Sequence, residues 1–277
     1  MSELKGRVVV ITGGAGVLCS AMARDLAARG ARVALLGRTG AKVEALAEEI
    51  KASGGDALGV ECNVLDVESV KKAHEEVLRV YGKCSVLING AGGNSPEACT
   101  TKETYSEGDI ENSNTVSFFD LTKKGFDSVF GLNLTGTVLP TQEFARDMLG
   151  CGGNILNISS MSAYAPMTKV PAYSAAKAGI SNLTNWLAVH FAEEGIRVNA
   201  IAPGFFLTEQ NRTLMTNPDG SPTERAKKVI YKTPMNRFGK PEELLGAVRF
   251  LIDDDEAGFI TGITMPIDGG FMAYSGV

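Results

Sequence analysis

Tyr173 and Lys177 stand four residues apart in Pro171-Ala172-Tyr173-Ser174-Ala175-Ala176-Lys177, and Ser160 lies thirteen residues before the tyrosine, at the end of an apolar stretch. On a helix, side chains at i and i+4 share a face, so an ammonium can sit beside the phenol and favour its ionised form. A phenol at its ordinary pKa of about 10 is a poor base at neutral pH, and a neighbouring cation moves it toward the useful range. Chance alone supplies about 0.3 such Tyr–Lys spacings in a chain of this composition, so the trio needs context before it reads as a proton-transfer device.

That context begins near the N-terminus. Gly6-Arg7-Val8-Val9-Val10-Ile11-Thr12-Gly13-Gly14-Ala15-Gly16 is a β-branched apolar run that breaks into glycines, and Val17 to Arg29 follows with apolar residues at helical spacing. A strand, a glycine-rich turn and a helix N-terminus present backbone N–H groups and a positive dipole end to an anion, which is how a dinucleotide pyrophosphate is held. An ordinary tight βα turn is the plain alternative for this segment alone.

The order of further motifs makes the chain resemble the short-chain dehydrogenase/reductase family over nearly its whole length. Thr12-Gly13 opens the turn, and Asn89-Gly90-Ala91-Gly92 follows a fourth predicted strand. Asn133 lies in Asn133-Leu134-Thr135-Gly136; Ser160, Tyr173 and Lys177 come next, then Pro203-Gly204 with Thr208, and the tail Ile267-Asp268-Gly269-Gly270. The departures are local. The family's Thr-Gly-x-x-x-Gly-x-Gly has its second and third glycines at Val17 and Cys19 here, with Gly14 and Gly16 supplying glycine early. Side chains at Val17 and Cys19 are expected to narrow the approach of a pyrophosphate and the helix-to-strand packing. The usual Asn-Asn-Ala-Gly has Gly90 in second place, and the Asp that bonds adenine in many relatives is Asn63.

Composition fits one compact domain. The 277 residues are 44% hydrophobic, and no low-complexity linker divides them. A net charge of −5 argues against nucleic-acid binding. No run reaches the ~20 apolar residues of a membrane span, and Met1-Ser2-Glu3-Leu4-Lys5 lacks the apolar core of a signal peptide, so a cytoplasmic protein is expected. Cys19, Cys62, Cys84, Cys99 and Cys151 show no spacing that pairs with His74 or His190, so no metal site is expected and a Ser-His-Asp hydrolase is disfavoured.

Alternating elements then have to position the motifs. Strands are predicted near 7–12, 31–36, 57–62, 84–88, 154–159, 196–201 and 261–265, with helices near 17–29, 40–53, 67–81, 125–150, 172–194, 223–232 and 241–252. This alternation implies an α/β fold: one Rossmann-type, doubly wound parallel sheet of about seven strands with helices on both faces, spanning 1–277 as a single domain. The ligand belongs outside the carboxyl ends of the strands, where the motifs fall. Two connections bear on substrate. Residues 93–124 look like an insertion over the site, with Phe118, Phe119, Leu121 and Phe126 expected to bury its end. A substrate loop is expected near 204–232.

The resemblance implies roles. Tyr173 would exchange a proton with the substrate oxygen, Lys177 would hold the nicotinamide ribose and lower the phenol's pKa, Ser160 would bond the reacting carbonyl, and Asn133 would anchor a water on Lys177. Gly13, Gly16, Val17, Leu18, Arg38, Asn63, Val64, Asn89, Ala91, Gly92, Tyr173, Lys177, Pro203, Gly204 and Thr208 would line the cofactor. That cofactor is NAD(P), with a lean to NADP, because Gly37 stands where an acid would bond the ribose 2′-OH and Arg38 could pair with a 2′-phosphate. The insertion, the 203–212 segment and the tail are most similar to the fructuronate reductase (D-mannonate oxidoreductase) branch. A small keto acid or ketose is the expected substrate, with Asn94, Ser162 and Arg212 as candidate contacts and Lys169, Gln210 and Asn211 beside them. Gluconate, polyol or 3-oxoacyl reduction, or a nucleotide-binding protein without turnover, stay as alternatives. The resemblance implies a tetramer or dimer built on the helices near 125–150 and 172–194, and a homotetramer is expected.

Overall fold

The computed structural model describes residues 4–208 and 212–276. Seven strands form one sheet: β1 (Val8–Thr12), β2 (Arg32–Gly37), β3 (Asp56–Glu61), β4 (Val86–Asn89), β5 (Gly153–Ile158), β6 (Ile196–Pro203) and β7 (Thr264–Ile267). Their order is β3-β2-β1-β4-β5-β6-β7, and every pairing is parallel. The helices are α1 (Val17–Ala28), α2 (Gly40–Ala52), α3 (Val67–Tyr81), α4 (Lys123–Phe130), α5 (Gly136–Phe144), α6 (Pro171–His190), α7 (Arg212–Met215), α8 (Glu224–Lys232), α9 (Leu245–Ile252) and α10 (Asp254–Ala257).

The doubly wound reading holds, and the strand sequence shows why. Along β1 and β2, Val9, Ile11, Val33 and Leu35 pack on one face with α1, α2 and α9, while Val8, Val10, Ala34 and Leu36 pack on the other with α3, α5 and α6. Both faces of the sheet are covered, so the strands read as continuous apolar runs whose alternate residues serve different cores. The strand order reverses between β1 and β4. The crevice at their carboxyl ends, beyond Thr12 and Asn89, is where this topology places a ligand.

The first six strands lie within two residues of the expected bounds, whereas β7 starts at Thr264 rather than 261. The helix expected over 125–150 is broken. Between α4 and α5, Gly131–Thr135 forms a π-helical turn, and Ala145–Met148 ends the run in a 3₁₀ turn. Gly125, Gly131, Gly136 and Pro140 all fall in this stretch, and Pro140 has no N–H to give to the preceding turn.

The insertion is ordered but anchored differently from the expectation. Phe118 and Phe119 are 65% and 69% exposed rather than buried. Ala98, Val129, Ala172 and Ala176 make the small core instead, with Phe126, Phe130 and Tyr173 against it. Gly125 permits this, because a Cβ there would lie 2.6 Å from the carbonyl of Glu97. Among the described residues no helix is long and apolar enough to cross a membrane, and no cluster of His, Cys, Asp or Glu could hold a metal ion.

Candidate active site

The turn after β1 is built from two backbones in near contact. Gly13 has φ +65°, and a Cβ on it would lie 2.9 Å from Ala91. Thr12 Oγ1 accepts the N–H groups of Gly90 and Ala91, both at 3.1 Å, which ties the end of β1 to the segment after β4. Gly16 caps α1 without a side-chain hydrogen bond, and no acid stands in the first turn. The N-terminal N–H groups around Val17 and Leu18 are therefore left for an anion, and the residues present fit a dinucleotide pyrophosphate. Val17 is half-buried, and Cys19 is buried in the core beneath α1.

The remaining cofactor candidates divide by what their side chains do. Asn63 Oδ1 accepts from Leu65 N at 3.2 Å, while the Asn63 N–H donates to Ser69 Oγ, so its side chain shapes its own exposed turn. Val64 is buried against Gly136. Asn89 spends its amide nitrogen inside the sheet, donating to Thr141 Oγ1 and Asn157 Oδ1 at 2.9 Å each, while its Oδ1 is buried without a hydrogen-bond partner. Pro203 ends β6. Gly204 N donates to Ile267 O at 2.9 Å, and a Cβ on Gly204 would lie 2.7 Å from Asp268. Thr208 stands half-buried beyond them.

Ser160, Tyr173 and Lys177 meet as the spacing predicts. Pro171 at the first position of α6 starts the helix, and Tyr173 and Lys177 share its inward face. Lys177 Nζ lies 5.7 Å from the Tyr173 ring centre and donates to Ile158 O at 2.7 Å. Ser160 hydrogen-bonds the Tyr173 hydroxyl. The neighbouring serines are placed otherwise: Ser159 donates to Lys177 O and shares a hydrogen bond with Ser181, and Ser162 donates to Ser160 Oγ at 3.0 Å. Ser162 is 2% exposed, so it orients Ser160.

The electrostatics depart from expectation. Burial pushes the Tyr173 phenol above its ordinary range, and the Ser160 hydrogen bond only partly opposes this. Burial also draws Lys177 down to about 8, with Cys19 opposing. The anticipated lowering of the phenol by Lys177 is not found: desolvation governs the phenol, and only the Ser160 hydrogen bond opposes it. A protonated phenol beside a serine hydroxyl is arranged to donate a proton.

Asn133 sits, fully buried, in the π-helical turn. Its Nδ2 donates to Gly93 O at 2.7 Å and Val129 O at 2.8 Å, and its Oδ1 accepts from Gly93 N at 3.3 Å. A Cβ on Gly92 would come within 2.8 Å of Asn133 Oδ1 and 3.3 Å of Lys177 Nζ. Asn133 therefore holds the 92–93 backbone against the lysine.

The rim brings three segments together. Thr100 N donates to the carbonyl of Lys169, a residue at φ +70°, just before α6. Glu103 of the insertion pairs with Lys228 of α8 at 2.9 Å, and Lys169 and Lys232 add to Lys228 in holding the Glu103 carboxyl below its usual range. Exposed Asn94 donates to Cys99 Sγ at 3.2 Å within the insertion. Arg212 is exposed on α7. Gln210 and Asn211 lie outside the described residues.

At the far end of the crevice, exposed Arg38 follows β2, as expected. Glu61, which the sequence reading passed over, ends β3 in register with Gly37. A Cβ on Gly40 would lie 2.7 Å from Glu61 Oε2, so this carboxylate overhangs the start of α2. Only the β2–β3 pairing reveals it; in the sequence it stands twenty-three residues after Arg38.

Comparison with known proteins agrees with this geometry. The short chain dehydrogenase family matches residues 7–219. An oxidoreductase of Bacillus subtilis called UxuB, itself uncharacterized, is 57% identical over 276 residues, covering 99% of this chain and 98% of its own. A crystal structure from Haemophilus influenza with bound NAD, for which D-mannonate oxidoreductase is an unproven designation, is 50% identical with a TM-score of 0.95, covering 99% and 98% of the two chains. A 3-oxoacyl-[acyl-carrier-protein] reductase of Synechocystis is 31% identical, covering 99% of this chain and 100% of its own. The chain belongs to the short-chain dehydrogenase family and is an NAD(P)-dependent oxidoreductase.

Proposed function

We propose that the enzyme interconverts a keto sugar acid and its hydroxy acid, D-fructuronate and D-mannonate, with NAD as cofactor. The observation that carries the substrate is the likeness to the NAD-bound Haemophilus structure and its designation. The rim supports it: Lys169, Lys228 and Lys232 gather around the carboxylate of Glu103, with Glu224 also near Lys228, and the surplus lysine is suited to a substrate carboxylate. The sequence reading gave that role to Arg212, which we keep as a second contact.

When bound, the nicotinamide supplies or takes the hydride. In the reducing direction Tyr173 gives its hydroxyl proton to the substrate oxygen as the carbonyl carbon gains the hydride. Ser160 donates a hydrogen bond to that oxygen, oriented by Ser162. Lys177 stands behind the tyrosine and returns the proton, and Asn133 fixes the 92–93 backbone at the edge of the same space, from which a bound water could serve the lysine.

Cofactor choice turns on two opposed groups. Arg38 favours a 2′-phosphate, whereas the Glu61 carboxylate beside Gly37 and Gly40 repels one and can accept from a ribose hydroxyl. NAD bound in the Haemophilus structure supports NAD over the NADP lean of the sequence.

The test is oxidation of NADH and, separately, NADPH by the purified protein with D-fructuronate. Turnover with NADH, lost by about 10³-fold in Tyr173→Phe with NADH affinity retained, is the expected result. Turnover of 3-oxoacyl or gluconate-type substrates in its place would overturn the substrate.

A further inference from the structure

Two departures from the family's pattern, Cys19 for glycine on α1 and Gly90 for asparagine after β4, are far apart in the sequence and meet in the fold. A Cβ built on Gly90 would lie 2.2 Å from Cys19 Sγ, inside any tolerable contact between the two atoms. The cysteine thus occupies the space that a side chain at residue 90 would need. The same Cβ would lie 2.9 Å from the Thr12 carbonyl, a backbone atom that must also give way slightly.

We propose that Cys19 and Gly90 form one interlocking pair, and that Cys19 is a positioning residue which sets the dinucleotide turn against the segment carrying the catalytic neighbours. Cys19 lies at the third position of α1, in its first turn, just past the N–H groups left for the pyrophosphate. Gly90 lies between Asn89 at the end of β4 and Ala91, whose N–H is held with that of Gly90 on Thr12 Oγ1. Two residues on, Gly92 touches the space of both Asn133 Oδ1 and Lys177 Nζ. A shift forced at residue 90 therefore moves the floor of the cofactor crevice and the wall of the lysine together. Burial pushes the Cys19 thiol up to about 12, so it is an uncharged packing group at neutral pH and no nucleophile.

The pair is tested by a double-mutant cycle read by NADH fluorescence titration and by thermal unfolding without nucleotide. Gly90→Ala should raise the NADH dissociation constant at least tenfold at temperatures well below its unfolding midpoint. Cys19→Gly alone should raise it at least fivefold, because the turn loses the group that seats it, and the double variant should return to within about threefold of the parent; a Cys19→Gly variant that binds NADH like the parent would refute the positioning role. If Gly90→Ala lowers the unfolding midpoint but leaves NADH affinity intact, the pair is packing only and the positioning role is wrong. Equal weakening in Gly90→Ala and the double variant would break the coupling itself. Should Gly90→Ala fail to fold, Gly90→Asn with and without Cys19→Gly decides the matter: folded, NADH-binding protein only in the Cys19→Gly background upholds the pair, and no recovery rejects it.

Discussion

At the scale of single residues, desolvation governs the protons. The phenol of Tyr173 is held protonated by burial, and Lys177, equally buried, gives up its proton near pH 8. Reduction needs the proton in place, and the group is charged only below its pKa. The rate of ketone reduction, as kcat/KM, should therefore be level below about pH 8 and fall roughly tenfold per unit above it. A profile level to pH 10, or one that falls toward acid, would contradict this. The cofactor assignment is testable at the same scale. Glu61→Gln should raise preference for NADPH about tenfold by removing a repelling charge, and Arg38→Ala should weaken NADPH while sparing NADH; unchanged ratios of the two cofactors would remove both residues from the assignment. The Tyr173–Lys177 pair was legible in the sequence because a helix converts spacing into a shared face, whereas Ser160 was singled out by the resemblance to the family. Glu61 was not legible, since its neighbour across the sheet is set by strand pairing that no local pattern records.

Among the elements, the rim clasp is the informative one. The insertion reaches α8 through Glu103 and Lys228, two half-exposed side chains whose ion pair adds little to global stability. Lys228→Ala should leave the unfolding midpoint within about 2 °C while raising KM for a keto acid severalfold, with less effect on an uncharged ketone. An equal change for both substrates would show that the clasp only closes the loop. The insertion itself was legible from its length and polar composition. Its anchoring was not, because Phe118 and Phe119 are apolar by type yet turn outward, while the small residues Ala98 and Gly125 permit the close approach that holds it. The π-helical turn likewise overrode a helical periodicity that runs through Gly131 and Pro140; the glycines and proline were its visible signal.

For the whole molecule, parallel strands buried on both faces left a clear imprint in the alternation of strands and helices, whereas the order β3-β2-β1-β4-β5-β6-β7 is set by strand pairing that local patterns do not record. What one chain leaves unexplained is its outer apolar surface. Val189 is 79% exposed, with Trp186, Leu149 and Phe259 also uncovered. Residues of this size left in water are characteristic of an interface. We expect a homotetramer by light scattering, and Val189→Asp should shift it to a smaller species; a monomeric parent protein would refute this. The reaction itself is decided by following the hydride. Incubation with D-fructuronate and NADH deuterated at the transferable C4 position should give D-mannonate bearing deuterium on the carbon that had been the carbonyl, and Tyr173→Phe should give none at the same enzyme concentration. D-Mannonate without deuterium, or no product from a protein that binds NADH normally, would contradict the assignment.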